Sequence, residues 1–245
     1  MGEQRLQKLI SASRLCSRRS AEIFILESRI KVNGQIAQIG DKADPDIDEI
    51  TMDGVRVTIN MKPRVVLLNK PSGIITSCHD PQGRRTVLNL LPKKVSQGLH
   101  PVGRLDFNSR GALLLTNIGD LTLQLTHPSY SHPKTYMVWV QGLPSEDSLK
   151  RWREGIDLDG KKTLKAKVIL LKTYRNQSLL KVIMKEGRNR QIRRIAELLH
   201  HPVVDLQRIA ISNISIEDIS EGDWRELKKK EWSKLIQNNK STKAE

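Results

Sequence analysis

Asp106 has the most pointed chemical setting in this chain. It lies in GRLDFNSRGALLLTN, residues 103–117, between Arg104 and Arg110, with no other acidic residue within ten positions on either side. A carboxylate beside guanidinium groups is favoured in its charged form, and a lone ionised carboxylate serves chemistry as a nucleophile or as a general base. Two other segments carry groups that could join it. THPSYSHPKTY, residues 126–136, ends in an aromatic, Tyr136, at the start of a strand-like run. EGRNRQIRRIAELL, residues 186–199, turns at Gly187 into a helical pattern. There Ile192, Ile195 and Leu199 form the apolar side, while Arg190, Arg193 and Arg194 line the other at i, i+3 and i+4. Taken singly, each segment has an ordinary structural reading as well: a surface acid, a core tyrosine, a basic helix face.

Several other chemistries have no foothold. The chain contains no GxxxxGK[ST], no GxGxxG opening a helix and no HExxH. Its six histidines, at 79, 100, 127, 132, 200 and 201, lack metal-ligand spacing with each other or with a cysteine, so they read as polar loop or interface residues. The two cysteines, Cys16 and Cys78, form no CxxC pair and suit a reducing cytosol. Catalysis without metal, nucleotide or flavin is the expectation. Apolar runs such as 65–68 and 168–171 are four residues long, far short of the roughly 20 that a membrane helix needs. The first twenty residues are rich in Arg and Ser, like an organelle transit peptide, but they run straight into a folded pattern. A cytoplasmic protein is expected.

The net charge of +15 favours a polyanionic partner, nucleic acid first. Residues 1–60 balance nine Lys/Arg against nine Asp/Glu, so the excess lies in 61–245, although 1–34 alone hold seven bases against three acids. DNA binding lacks any helix-turn-helix or zinc-finger pattern.

Positioning such groups requires a scaffold, and the periodicities supply one. Leu6, Leu9 and Ile10 recur at helical spacing, and Ser17 caps a second helix carrying Ala21, Phe24 and Ile25. Period-two alternation follows at Ile30, Val32 and Ile36 around Asn33-Gly34, then at Val55, Val57 and Ile59. This unit of helix, helix and small sheet spans residues 1–60, with Arg5, Lys8, Arg14, Arg18 and Arg19 clustered on and between the helices, where they could grip RNA phosphates. Its portion SRRSAEIFILESRIKVNG resembles the alpha-L RNA-binding motif shared by a small-subunit ribosomal protein, a tRNA synthetase and several RNA-modifying enzymes.

Residues 61–64 read as a linker. Strand-like runs at 64–69, 112–116, 135–141, 165–173 and 178–184 then outnumber helical candidates at 87–91, 145–154 and 190–199. The fold class expected for 65–228 is α+β, a mainly antiparallel mixed sheet with flanking helices. Residues 229–245 read as a basic, partly disordered tail.

NKPSGIITSCHDPQGRRTVLNLLP, GRLDFNSRGALLLTNIGDLTLQLTHP, KTY, EGRNRQIRRI and GDWREL together resemble, in order and approximate spacing, the RsuA/RluB-type ribosomal RNA pseudouridine synthases, which carry the alpha-L motif in front. Two departures are Ile118, where that family usually has Asp, and Ala112, where Leu is usual. The resemblance implies a cofactor-independent isomerisation of uridine to pseudouridine in ribosomal RNA, on free RNA or a pre-ribosomal particle, by a monomer with no membrane contact. It implies Asp106 as the essential carboxylate, Arg193 as the arginine beside it and Tyr136 as the aromatic face for a flipped-out uracil. It also assigns Arg104, Lys134, Arg188, Arg190 and Arg194 to RNA contacts. EGRNR and RLDFNSRG are nearer the large-subunit branch. A catalytically silent RNA-binding assembly factor on the same fold is the alternative.

Overall fold

The computed structural model describes residues 2–13, 15–58 and 62–237, and the chain divides into two compact units, residues 1–63 and 64–245. The first runs β1 (Gln4–Arg5), α1 (Leu6–Ala12), α2 (Arg18–Leu26), β2 (Ile30–Val32), β3 (Gln35–Ile36), β4 (Lys42–Ala43), β5 (Ile50–Met52) and β6 (Val55–Arg56). Ser17 caps α2 by accepting from the Ser20 N–H at 3.1 Å. Asn33 and Gly34, both at positive φ, make the tight turn between β2 and β3. Leu6, Leu9, Ile10, Ala21 and Ile25 close over Ile30 and Ile50 as one core. β5 pairs with both β2 and β6; its three residues were too short a run to read as a strand.

The second unit continues with β7 (Val65–Lys70), α3 (Lys93–Ser96), β8 (His100–Pro101), β9 (Arg110–Thr116), α4 (Gly119–Thr126), β10 (Lys134–Gln141), α5 (Glu146–Glu154), β11 (Asp157–Leu158), β12 (Lys161–Lys162), β13 (Lys167–Tyr174), β14 (Gln177–Met184), α6 (Gln191–Leu198), β15 (Val203–Ile211), β16 (Ile214–Ser215), β17 (Trp224–Glu226) and α7 (Lys229–Gln237). Its main sheet has the order β13-β14-β10-β15-β9-β7-β17, with β16 on β15 and β8 on β9. The pairings are antiparallel except that of β15 with β9.

Burial explains the strand sequences. β7 is buried along its whole length. Val65 and Leu67 join the core beneath α4 and α7, while Val66 and Leu68 join the one around Val87 and Leu105 on the opposite face. A strand covered on both sides reads as a continuous apolar run instead of alternating. β13, by contrast, is an edge strand and mostly exposed. The parallel junction of β9 with β15 depends on Gly111, at φ +108°, where a Cβ would lie 2.2 Å from the Arg208 carbonyl oxygen. Only glycine permits that approach.

Three sequence expectations need correction. Residues 87–90 form a 3-10 turn, closed by a Thr86/Asn89 capping box, and not an α-helix. β15 and α4 lie where no element was expected: in β15 charged and apolar residues share the buried positions, and the short α4 opens at Ile118 without a side-chain cap. Finally, residues 229–237 are not tail. They form α7, and Trp232, Leu235 and Ile236 pack into the core at helical spacing despite the lysine-rich composition; residues 238–245 lie outside those described. Leu235 is 1% exposed, so Leu235→Ala should cost about 3 kcal/mol, read as a lowered denaturation midpoint. A midpoint equal to that of the parent chain would mean that α7 adds nothing to the core.

Candidate active site

Asp106 lies on the loop between β8 and β9, and that loop is held from three directions. Lys70, fully buried at the end of β7, donates from Nζ to the carbonyl oxygens of Pro71 at 2.9 Å, Asp106 at 3.3 Å, Phe107 at 3.5 Å and Ser109 at 2.8 Å. Thr76 Oγ1 donates to the Leu105 carbonyl at 2.7 Å. Arg193 on α6 donates from Nη2 to the Asn108 carbonyl at 2.9 Å and to Ser109 Oγ at 3.0 Å. Burial pulls the Lys70 ammonium down to about 8, against the attraction of Asp106 and Glu221 and with the repulsion of Arg208.

The loop forms one wall of a cavity of about 220 Å³ that Asp106 shares with Arg104, Lys134, Tyr136, Arg188 and Arg190. Tyr136, 7% exposed, rises from β10 on the opposite side of the sheet junction. Two acids line the cavity, and they differ. Glu186 is committed: it accepts from Gln191 Nε2 at 2.6 Å and from the Leu164 N–H at 2.8 Å. The Asp106 carboxylate accepts no hydrogen bond among the described residues, and its one ion pair is with Arg190, whose Nη1 lies 3.9 Å away. Arg190 caps α6 in a left-handed conformation, φ +47°. For a non-glycine residue that costs on the order of 1 kcal/mol; the Arg188 N–H donating to Gln191 Oε1 at 3.0 Å closes the turn.

The other arginines sort differently from the sequence expectation. Arg193 touches the Asp106 loop and not the carboxylate; burial and the neighbouring Arg190 lower its basicity, while Asp106 and Asp205 oppose this. Arg110 turns away, pairing with Asp205 at 2.8 Å and Glu221 at 3.4 Å. Arg188 donates to the Lys161 and Lys162 carbonyls at 2.7 Å each, and Arg194 pairs with Asp159 at 2.9 Å, so both pin the β11–β12 hairpin. Arg194 does not line the cavity. Arg104 and Arg190 are exposed at the cavity. In the first unit Arg18 and Arg19 are exposed, Lys8 is half-buried, and Arg5 donates to the Gly40 carbonyl; Arg14 lies outside the described residues.

Comparison with known proteins interprets this geometry. Residues 64–198 match the family model described as RNA pseudouridylate synthase, and residues 4–46 match the S4 domain model. The chain belongs to the RNA pseudouridylate synthase family. It is 37% identical to the ribosomal large subunit pseudouridine synthase B of Bacillus subtilis over 95% of both chains, and 37% identical to an uncharacterized RNA pseudouridine synthase of Aquifex aeolicus over 96% of this chain and 95% of that one. A solved structure described as a pseudouridylate synthase superposes with TM-score 0.68 at 30% identity, covering 94% of this chain and 99% of the other. The fold is therefore an S4 domain followed by a pseudouridine synthase fold, and the chain is an enzyme of that family. Among the described residues no helix is long and apolar enough to cross a membrane, and no three His, Cys, Asp or Glu gather as a metal-binding group.

Sequence reasoning left two site residues without a role. Lys70 stood inside NKPSG, where a basic residue ending an apolar strand was the available clue. Arg208, 4% exposed, interrupts the buried positions of β15. Lys70→Met would strip the charge from the loop clamp at nearly constant volume; turnover should fall about 100-fold through misplacement of the loop, and the melting temperature should fall too, because the buried carbonyls lose their donor. Turnover should also decline as pH rises through about 8, where Lys70 loses its proton. A normal rate in Lys70→Met together with a flat pH–rate profile to pH 10 would remove Lys70 from the site's support.

Proposed function

We propose that this enzyme isomerises a uridine of ribosomal RNA, most simply one in the large subunit, to pseudouridine, with Asp106 as the essential carboxylate. One observation carries the reading: in a chain that belongs to this family, Asp106 is the cavity acid whose carboxylate accepts no hydrogen bond among the described residues, with only the ion pair to Arg190 at 3.9 Å beside it. The large-subunit assignment is supported by the 37% identity to the Bacillus subtilis enzyme of that name across nearly the whole chain.

The reaction breaks the C1′–N1 bond of uridine, turns the uracil and rejoins it through C5. Substrate and product are isomers, so the balance requires no oxidant and no energy donor. An ionised Asp106 serves the sugar side of the break, as nucleophile at carbon or as base. A uridine in a helix is out of reach, and a cavity this small admits one extruded base. Tyr136 offers its ring as a stacking face for that base. Arg190, 3.9 Å from Asp106, and Arg193, which fixes the loop, keep the acid oriented. Arg104 and Arg190 meet the phosphates flanking the extruded nucleotide, and Arg5, Lys8, Arg18 and Arg19 of the S4 domain also hold RNA. Arg188 and Arg194, occupied by backbone carbonyls and by Asp159, contribute through the hairpin they pin. The setting is the cytoplasm, where ribosomal RNA or an assembling particle is the partner, and the enzyme works as a monomer.

The test is tritium release from ribosomal RNA transcribed with 5-tritiated uridine. The parent chain should release label, and Asp106→Asn should release none while keeping RNA affinity within about threefold, because one carboxylate contributes little to polyanion binding. Release by Asp106→Asn would end the assignment of that residue. Silence from both proteins, on transcripts and on immature subunits, would favour a non-catalytic assembly role.

A further inference from the structure

The inner wall of the cavity holds cations for which the reaction as described has no task. Cross-strand pairing sets Tyr136 of β10 opposite Arg208 of β15, and Lys134 lies two residues before Tyr136 on the same face. All three line the cavity. Arg208 is 4% exposed; its Nε donates to the Ala112 carbonyl at 2.7 Å, and its Nη2 is buried without a partner among the described residues. The Lys134 ammonium has three protons and makes one hydrogen bond among the described residues, to the His132 carbonyl at 3.3 Å. His132 Nε2, also buried at the cavity, has no partner among the described residues. Burial, and after it the nearby Arg208, pulls the Lys134 ammonium down to about 8. Neither cavity acid forms an ion pair with Lys134 or Arg208 among the described residues.

Unpaired buried cations are costly, and two close together repel. Such a pair is complementary to an anion that arrives with the substrate. The phosphates of an extruded nucleotide stay with the backbone at the mouth, near the exposed Arg104 and Arg190, whereas the base goes deepest. Uracil is neutral while it is joined to the sugar. It becomes an anion when the C1′–N1 bond breaks, because the bonding electron pair leaves with N1 and spreads onto O2 and O4.

We propose that Arg208 and Lys134 form a buried anion site that receives the detached uracil through its carbonyl oxygens and holds its charge while it turns. The inference rests on the uridine-isomerase reading above. The step balances: C5 bonds to C1′, the C5 proton is released, N1 takes up a proton, and no electrons are gained or lost. Because bound uridine carries no such charge, the interaction is stronger after bond breaking than before, which is the condition for acceleration.

The experiment measures single-turnover tritium release at saturating enzyme, and RNA affinity separately, for Lys134→Met, Lys134→Arg and Arg208→Lys. Lys134→Met should lower the saturated rate about 100-fold or more with affinity nearly unchanged, and Lys134→Arg should recover most of the loss. Arg208→Lys should show the same split; since Arg208 also ties β15 to β9, its melting temperature is measured alongside, and the Lys134 pair decides if it fails to fold. A weakened affinity with an unchanged saturated rate would make Lys134 a phosphate contact and overturn the proposal, as would parental rates in both Lys134→Met and Arg208→Lys. An active parent with unaffected variants overturns this inference alone. A parent that releases no tritium overturns the uridine-isomerase reading along with it.

Discussion

The Lys70 ammonium, buried among four carbonyl oxygens, is the interaction on which the site depends. Desolvating a cation costs several kcal/mol unless the protein returns equivalent hydrogen bonds, and here the returning groups are the backbone of the segment that carries Asp106. The loop carbonyls must therefore converge on one point, which fixes the path of residues 106–109 far more tightly than side-chain packing would. The neighbouring Asn69 extends the arrangement: its N–H donates to the Asp223 carbonyl at 2.9 Å and its side chain to the Ile219 carbonyl at 2.7 Å. One end of β7 thus ties both the Asp106 loop and the 219–223 turn to the sheet.

That clamp is useful because the rest of the sheet brings Tyr136 to face the loop it fixes. β7 and β9 form one antiparallel half and β10, β14 and β13 the other, and β15 joins the halves through its short parallel contact with β9. The contact exists because Gly111 lets the Arg208 backbone approach, and the Arg208 side chain then reaches the Ala112 carbonyl from the same place. A junction built this way leaves a cleft where the antiparallel alternation is interrupted, with the acid on one bank and the aromatic on the other.

Much of this was legible in the sequence, and what was not has physical causes. The long apolar strands, the capped helices and the α6 pattern of Ile192, Ile195 and Leu199 announced themselves because one periodicity dominated each segment. Asp106 stood out through isolation from other acids. α7 did not, because its three lysines match its three apolar residues in number and the burial of Trp232 and Leu235 depends on a partner surface assembled from α4, β7 and β9. β15 was hidden because its buried arginine breaks the apolar alternation, and the reason for that arginine lies on another strand. The division of labour between the arginines beside Asp106 was hidden for a similar reason. Helical spacing places Arg190 and Arg193 on one face, but the left-handed cap at Arg190 is a property of the turn, and it aims Arg190 at the carboxylate and leaves Arg193 to the loop.

The arginines also show why a net charge of +15 is a poor map of an RNA-binding surface. Guanidinium groups have rigid, multiple donors that suit carbonyl and carboxylate acceptors inside a protein as well as phosphates outside it. Arg110, Arg188, Arg193 and Arg194 are used internally, each bonded to loop carbonyls or to an acid. What remains at the cavity is arranged by depth: Arg104 and Arg190 exposed at the mouth, Lys134 and Arg208 below them. Contacts at the mouth with phosphate would raise affinity equally for reactive and unreactive RNA and would weaken with salt. A contact with a buried group is less screened and gains strength as water is excluded. On the proposed reading, the same residue types, set at two depths, divide the work between holding the polymer and responding to the charge that the reaction itself creates.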